Sequence, residues 1–195
     1  MEPARASAST DNLGQYRQLV TMPDGLRLCL RPAVPADYEA LIELFSSLPP
    51  EETEYFRSKV IDRDQIALWS QDPTFEHSFP LVAVVGDQLV GACTLFRGSG
   101  ATRHLGEVRV FLAKQYRRRG IGSAMLKTQI EVARRLGLQQ VHAEIAESQP
   151  QVIHAFEHLG FERHAVIRDQ FITPNGDLLD LIQLVKILRQ TGQDF

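Results

Sequence analysis

The stretch Glu107-Val108-Arg109-Val110-Phe111-Leu112-Ala113-Lys114-Gln115-Tyr116-Arg117-Arg118-Arg119-Gly120-Ile121-Gly122-Ser123 decides how this chain is read. Glu107 to Ala113 reads as a strand, and Lys114 to Arg119 as a basic turn. A helix opens at Gly120, with Ile121, Met125, Thr128, Val132 and Leu136 on one stripe. Backbone N–H groups left free at a helix start, together with its positive dipole end, suit a pyrophosphate. Gly120 and Gly122 lack Cβ atoms, so phosphate oxygens can approach the backbone, and Arg117, Arg118 and Arg119 add charge-assisted bonds at the rim. No Gly-Lys-Ser/Thr follows, so this is not a Walker loop, and the third glycine of the dinucleotide fingerprint is missing.

Upstream, the apolar runs Leu81 to Val85 and Leu89 to Phe96 flank Gly86-Asp87-Gln88, a hairpin signature. Before them lie a strand at Leu26–Leu30 and a helix from about Pro35 carrying Leu41, Ile42, Leu44 and Phe45. Between Ser46 and Ser78 the pattern is irregular, with Pro49-Pro50, the acidic Glu51-Glu52-Thr53-Glu54 and a second helix ending before Asp72-Pro73. Downstream, Arg134 and Arg135 close the central helix before Gly137, Val141 to Ile145 is a strand and Pro150 to Leu159 a helix. Two strands, Phe161–Ile172 and Leu178–Leu188, end the pattern around Thr173-Pro174-Asn175-Gly176. The order is mixed α/β. Residues 1–18 read as a flexible arm, 19–189 as one domain and 190–195 as a tail.

Composition narrows the function classes. With 195 residues, 44% hydrophobic and 23% charged, the chain has the make-up of one globular domain. Its 21 Lys and Arg against 24 Asp and Glu leave a net charge of −3, which argues against nucleic acid or an anionic membrane as partner. Cys29 and Cys93 are too few for a disulfide framework and suit a reducing compartment. Met1 to Asn12 lacks the apolar core of a signal peptide, and no run approaches the ~20 residues of a membrane span. The expected location is the cytoplasm, and a homodimer would be ordinary at this size.

Arg117-x-x-Gly120-x-Gly122 between such a strand and helix resembles the acyl-CoA pyrophosphate loop of the GNAT N-acetyltransferases. Ala155-Phe156-Glu157-His158-Leu159-Gly160-Phe161 is similar to that family's second motif, a helix ending in Leu-Gly-Phe before a strand. The resemblance spans Leu26 to Leu188. The position of Glu107 relative to Gly120, and Leu30-Arg31-Pro32, look like the branch that includes bacterial protein-lysine acetyltransferases. It implies a mostly antiparallel central sheet, splayed at its middle and flanked by helices. It also implies acetyl-CoA as cosubstrate with no metal, and a primary amine as acceptor, either a protein lysine or a small molecule.

By the same resemblance, Val110, Phe111 and Leu112 form the strand end that pairs with the pantetheine arm, with the Leu112 amide a donor to the thioester oxygen. The diphosphate falls on the amides from Arg118 through Arg119, Gly120, Ile121 and Gly122 to Ser123, and Gln149 stands where many members have a cofactor-touching Asn. A lysine-like ammonium has a pKa of ~10.4, so freeing the amine at pH 7 costs roughly 4.6 kcal/mol. The thiol, at ~8.5, asks only roughly 2 kcal/mol, so the base matters more than the acid. Glu107 matches a family base position, directly or through water, and Glu144 matches the base position of other members. Arg109 shares a strand face with Glu107, so a structural ion pair is the competing reading of that carboxylate. Phe156 stands where many members have a Tyr acid; solvent, Tyr116 or a histidine would have to serve instead.

Other patterns carry less. His154-Ala155-Phe156-Glu157-His158 fits H-x-x-E-H, but His154, Glu157 and His158 oppose the apolar face of their helix and read as a solvated surface. Trp69 and Phe75 read as core or groove-lining residues, and Glu51, Glu52 and Glu54 as a solvated helix start. Two functional readings follow: an acetyl-CoA-dependent N-acetyltransferase working by direct attack in a ternary complex, and a non-catalytic acyl-CoA-binding regulatory module.

Overall fold

The structure, a computed structural model, describes residues 10–47, 63–64, 66–67, 74–173 and 175–188. Eight strands form one sheet: β1 (Gln18–Thr21), β2 (Arg27–Pro32), β3 (Ser78–Val85), β4 (Gln88–Arg97), β5 (Leu105–Leu112), β6 (Gln140–Ala146), β7 (Glu162–Ile172) and β8 (Leu178–Ile187). Their order is β1-β2-β3-β4-β5-β6-β8-β7, antiparallel throughout except for β5 beside β6. That parallel contact is short, running only from Leu105–Gln140 to Glu107–His142. Beyond it the two strands part, and the sheet is splayed at its middle as expected.

Helices α1 (Tyr38–Ser46), α2 (Ile121–Arg135) and α3 (Pro150–Glu157) cover the two faces. On α2, Ile121, Met125, Leu126, Ile130 and Val132 bury against Leu81, Cys93, Leu95 and Val108, while Ile153 and Phe156 of α3 join the same core. On the other face, Leu41, Leu44 and Phe45 of α1 pack with Val82 and Ala92. Alternation along β3 and β4 sends successive side chains to these two layers, which is why both strands read as unbroken apolar runs. Gln129, buried in α2, ties helix to sheet by donating to the carbonyls of Phe79 (2.9 Å) and Cys93.

The expected elements appear within two or three residues of their bounds, and the Gly86-Asp87 turn takes a positive φ of 57° at Gly86. The loose arm expected up to residue 18 does not hold for its second half. Thr10–Gln15 form a 3-10 helix whose Leu13 is buried in the core, and Gln18 opens β1. A single apolar residue among Ser, Thr and Gln gave too little period to see. The tail at 190–195, Trp69 and Glu51 to Glu54 lie outside the described residues, as does most of the second helix before Asp72-Pro73. Phe75 is core, edge-on to Phe79 at 4.9 Å between ring centres.

Candidate active site

Backbone hydrogen bonds fix what faces the splayed gap. Gly98 N–H donates to Leu105 O (3.0 Å) and Ala113 N–H to Val90 O (2.9 Å), one at each end of the β4–β5 ladder. Alternation then turns the amides of Glu107, Arg109 and Phe111 toward β4, and those of Val110 and Leu112 away from it. Across the gap, Glu147 N–H donates to Asp180 O and Leu188 N–H to Gln139 O, both at 2.9 Å. Val141, Ala143 and Ile145 therefore face β8, leaving the backbones of Glu144 and Ala146 toward β5. The gap is thus lined by peptide groups of Val110 and Leu112 on one side and of Glu144 and Ala146 on the other. Two carbonyls are already used: Arg117 Nε donates to Leu112 O at 3.0 Å, and Gln149 N–H to Ala146 O at 2.9 Å. Phe111 spends its amide on β4, so it offers its ring, edge-on to Phe45 at 5.1 Å.

The gap ends at the loop before α2. Gly120, the residue preceding the helix, has φ +84°, and no side chain caps the helix start. The first helical amides at Ile121, Gly122 and Ser123 have no intrahelical acceptor, so an anion can take them without displacing a cap. Both glycines also answer to packing: a Cβ on Gly120 would stand 3.0 Å from Met22 Cε, and one on Gly122 3.3 Å from Leu112 Cδ1. The three arginines diverge. Arg117 turns back to Leu112, Arg118 (φ 59°) donates to Gln151 Oε1 at 3.3 Å, and Arg119 pairs with Asp24 at 2.5 Å. That hydrogen bond from Arg119 holds the Asp24 carboxyl below its usual range.

On the α1 side of the sheet, alternation gathers the polar groups. Phe96, Glu107, His142 and Val185 form one row across β4, β5, β6 and β8. Arg109 Nε donates to Glu107 Oε1 at 2.6 Å while its guanidinium lies 5.0 Å above the Phe96 ring, so the anticipated Glu107–Arg109 pair is made. The other oxygen, Oε2, stands 3.9 Å from His142 Nε2, and each of these two side chains is 23% exposed. Glu144 follows two residues along on the same face of β6. Sequence reasoning missed His142. Alternation from Glu144 points to it, but the parallel register that sets it beside Glu107 cannot be read from the chain.

Phe156 is a core ring, 2% exposed and edge-on to Phe161 at 5.0 Å. Tyr116 donates its hydroxyl to Gln88 Oε1 at 3.0 Å. Gln149 precedes α3, and its side chain makes no cap. Glu157 binds His154 Nδ1 (3.0 Å) and Arg163 (2.7 Å); the Arg163 bond, with His154 adding to it, lowers its pKa. Among the described residues no group of three or more His, Cys, Asp or Glu is placed to hold a metal ion, and no helix is long and apolar enough to cross a membrane. Burial pushes the Cys93 thiol far up, which makes it a poor nucleophile.

Comparison with known proteins agrees with the fold. The family model described as Acetyltransferase (GNAT) family matches residues 38–161. No curated protein matches the chain in sequence. Among solved structures, a ribosomal-protein-alanine N-acetyltransferase from Brucella melitensis is 26% identical with TM-score 0.71, covering 81% of this chain and 98% of its own. A GNAT superfamily phosphinothricin acetyltransferase from Sinorhizobium meliloti, in complex with AcCoA, is 25% identical with TM-score 0.70, covering 81% and 86%. A putative acetyltransferase from Salmonella typhimurium, with its cofactor acetyl-CoA, is 22% identical with TM-score 0.73, covering 85% and 96%.

Proposed function

Since the chain belongs to the acetyltransferase (GNAT) family, we propose that it transfers an acetyl group from acetyl-CoA to a primary amine by direct attack in a ternary complex. One observation carries the reading: a gap lined by outward-facing peptide groups leads to an uncapped helix start, with Glu107, His142 and Glu144 on one face beside it.

Acetyl-CoA supplies the acetyl thioester. The amides from Arg118 to Ser123 hold its diphosphate, and the backbone of Val110 and Leu112 pairs with its pantetheine arm. The Leu112 amide faces the gap and is the donor for the thioester oxygen. Arg117 keeps that strand end in place through the Leu112 carbonyl. The Glu144 carboxylate favours a cationic amine on the α1 side of the sheet, whereas that of Glu107 is paired with Arg109. A proton-accepting group there meets the larger of the two proton-transfer costs, and solvent protonates the departing thiolate. Phe156 packs in the core and has no hydroxyl proton to give, which leaves that role to solvent.

Calorimetric titration of acetyl-CoA tests the cofactor site, with the Arg118→Glu, Gly122→Asp double variant as control. Thiol release then tests turnover with a lysine peptide, an alanine-terminated peptide, spermidine and phosphinothricin as acceptors. Binding that the double variant loses, followed by amine-dependent thiol release, is the expected result. Binding without thiol release would favour a non-catalytic acyl-CoA-binding module. No binding at millimolar acetyl-CoA would overturn both readings.

A further inference from the structure

We propose that β7 is an interaction edge whose occupant is a second copy of this chain, joined strand to strand in antiparallel sense about a twofold axis. The inference is independent of the chemistry at the gap. β7 ends the sheet, with β8 as its one neighbouring strand among the described residues. Ten of its eleven residues are exposed, Phe171 being the exception. Consecutive residues of a strand face opposite sides, so exposure of both Val166 (55%) and Ile167 (36%) means that neither face of β7 is covered there. Seven large hydrophobic residues are exposed among the described ones, and five of them lie on β7 and β8: Val166, Ile167, Ile172, Leu178 and Ile187. An exposed edge strand with apolar side chains is a template for pairing with another chain.

Backbone direction selects where that pairing can occur. Val141, Ala143 and Ile145 of β6 face β8, so their partners Lys186, Leu184 and Ile182 spend their peptide groups on β6. The alternate residues Leu181, Gln183 and Val185 turn to β7, where they meet Ile167, Ala165 and Glu162. Val166, opposite Ile182, therefore directs its N–H and C=O outward, away from the sheet. Irregularities on either side confine the regular edge to its neighbourhood. One falls between Arg163 and Ala165, the other between Ile167 and Phe171, where Asp169 (φ 53°) donates its N–H to Asp180 Oδ1 at 3.0 Å.

A second copy fits because this short edge is complementary to itself. A twofold centred on Val166 lets the Val166 N–H of each copy donate to the Val166 carbonyl of the other, and it sets the two valine side chains against each other on one face. On the opposite face, Ala165 of one copy meets Ile167 of the second copy, small against large. Farther out, the strand end that carries Arg163 runs beside the end that carries Asp169 in the second copy, so opposite charges approach twice. Arg163 spends its Nε on Glu157, which leaves the Nη groups for that contact.

Sedimentation equilibrium of the full chain, over about 1 to 100 μM protein, tests the assignment. The wild type is expected to approach twice its chain mass of 22.0 kDa as concentration rises. Val166→Lys sets two ammonium groups face to face at the twofold and is expected to weaken self-association at least about 100-fold. Because Val166 is exposed, its urea midpoint and its calorimetric Kd for acetyl-CoA are expected to match the wild type, which separates lost pairing from lost folding. Leu19→Lys on β1, at the other end of the sheet, is expected to leave the dimer intact. Hydrogen exchange reads the pairing itself: the Val166 amide is expected to slow about tenfold or more as the dimer forms. A monomer at every concentration, a dimer that Val166→Lys leaves intact, a dimer that Leu19→Lys breaks, or Val166 exchange that ignores protein concentration would each overturn the assignment. None of those outcomes touches the acetyl-CoA reading, whose own test is the calorimetry and thiol release above.

Discussion

Leu112 is the residue on which the loop closes. Its side chain fills the space above two glycines: a Cβ on Gly91 would stand 2.5 Å from Leu112 Cδ2 and 2.9 Å from the Phe111 carbonyl, and Gly122 meets Leu112 Cδ1 from α2. The carbonyl contact is backbone and cannot rotate away. Gly91→Ala is therefore expected to cost about 1–3 kcal/mol through overpacking, read as a lower urea midpoint with unchanged m. Gly86→Ala makes a useful contrast, since its Cβ meets nothing within 4 Å and only the φ of +57° is strained. Asp24 is the other residue with a local consequence. It binds Arg119 beside the helix start, so any anion arriving there competes with a carboxylate already in place. Asp24→Asn is expected to tighten acetyl-CoA binding about threefold at low salt, with the gain shrinking as salt rises. Weaker binding in that variant would show that Asp24 orders the loop rather than competing at it.

At the level of elements, β5 combines two jobs on alternate residues. Val110 directs its N–H into the gap and shares no ladder bond with β4, whereas Phe111 bonds to β4. Val110→Pro is expected to weaken acetyl-CoA binding about tenfold, the worth of one lost hydrogen bond, with the fold retained; Phe111→Pro is expected to break the ladder and unfold the sheet. Equal damage from both would contradict the assigned backbone directions. The start of α1 carries a different dependence. Burial alone would raise the Asp37 pKa, but hydrogen bonds from Arg31 and the Val34 amide, with the Arg31 charge, hold it below its usual value. Such a group stabilises above its unfolded pKa, and that contribution is lost as pH falls through the folded one. Asp37→Asn is expected to lose roughly 2–3 kcal/mol at pH 7, with the difference from wild type shrinking below about pH 3.9 in urea titrations. These elements were legible to very different degrees. The β3–β4 hairpin and α2 announced themselves through the turn at Gly86-Asp87 and the stripe from Ile121 to Val132, because local rules suffice there. β1 was not visible, since four residues with only Leu19 and Val20 apolar carry no period and depend on β2 for pairing. The loop at Arg117–Gly122 was readable as an anion site, yet the divergence of its arginines depends on Asp24 and Gln151, which lie far off in sequence.

Taken whole, the molecule is two half-sheets held at one narrow seam. β1 to β5 form an antiparallel body and β6, β8 and β7 another, and the strands between them share three residue pairs, Leu105–Gln140, Gly106–Val141 and Glu107–His142. Below that seam α2 supplies continuity, since its buried face touches residues of both halves. A ligand lying in the gap would replace missing strand–strand bonds on both sides at once, so binding is expected to act on the seam more than on either body. With acetyl-CoA at 100 times its Kd, linkage gives about 2.7 kcal/mol, which for a chain of this size raises Tm by roughly 5–10 °C. The location is the sharper test. Hydrogen exchange is expected to slow most at the amides of Val110, Leu112, Glu144 and Ala146, which face the gap. Protection spread evenly over the sheet would mean that acetyl-CoA stabilises the protein without lying between the strands, and a large Tm rise with no slowing at Val110 and Leu112 would place it elsewhere altogether.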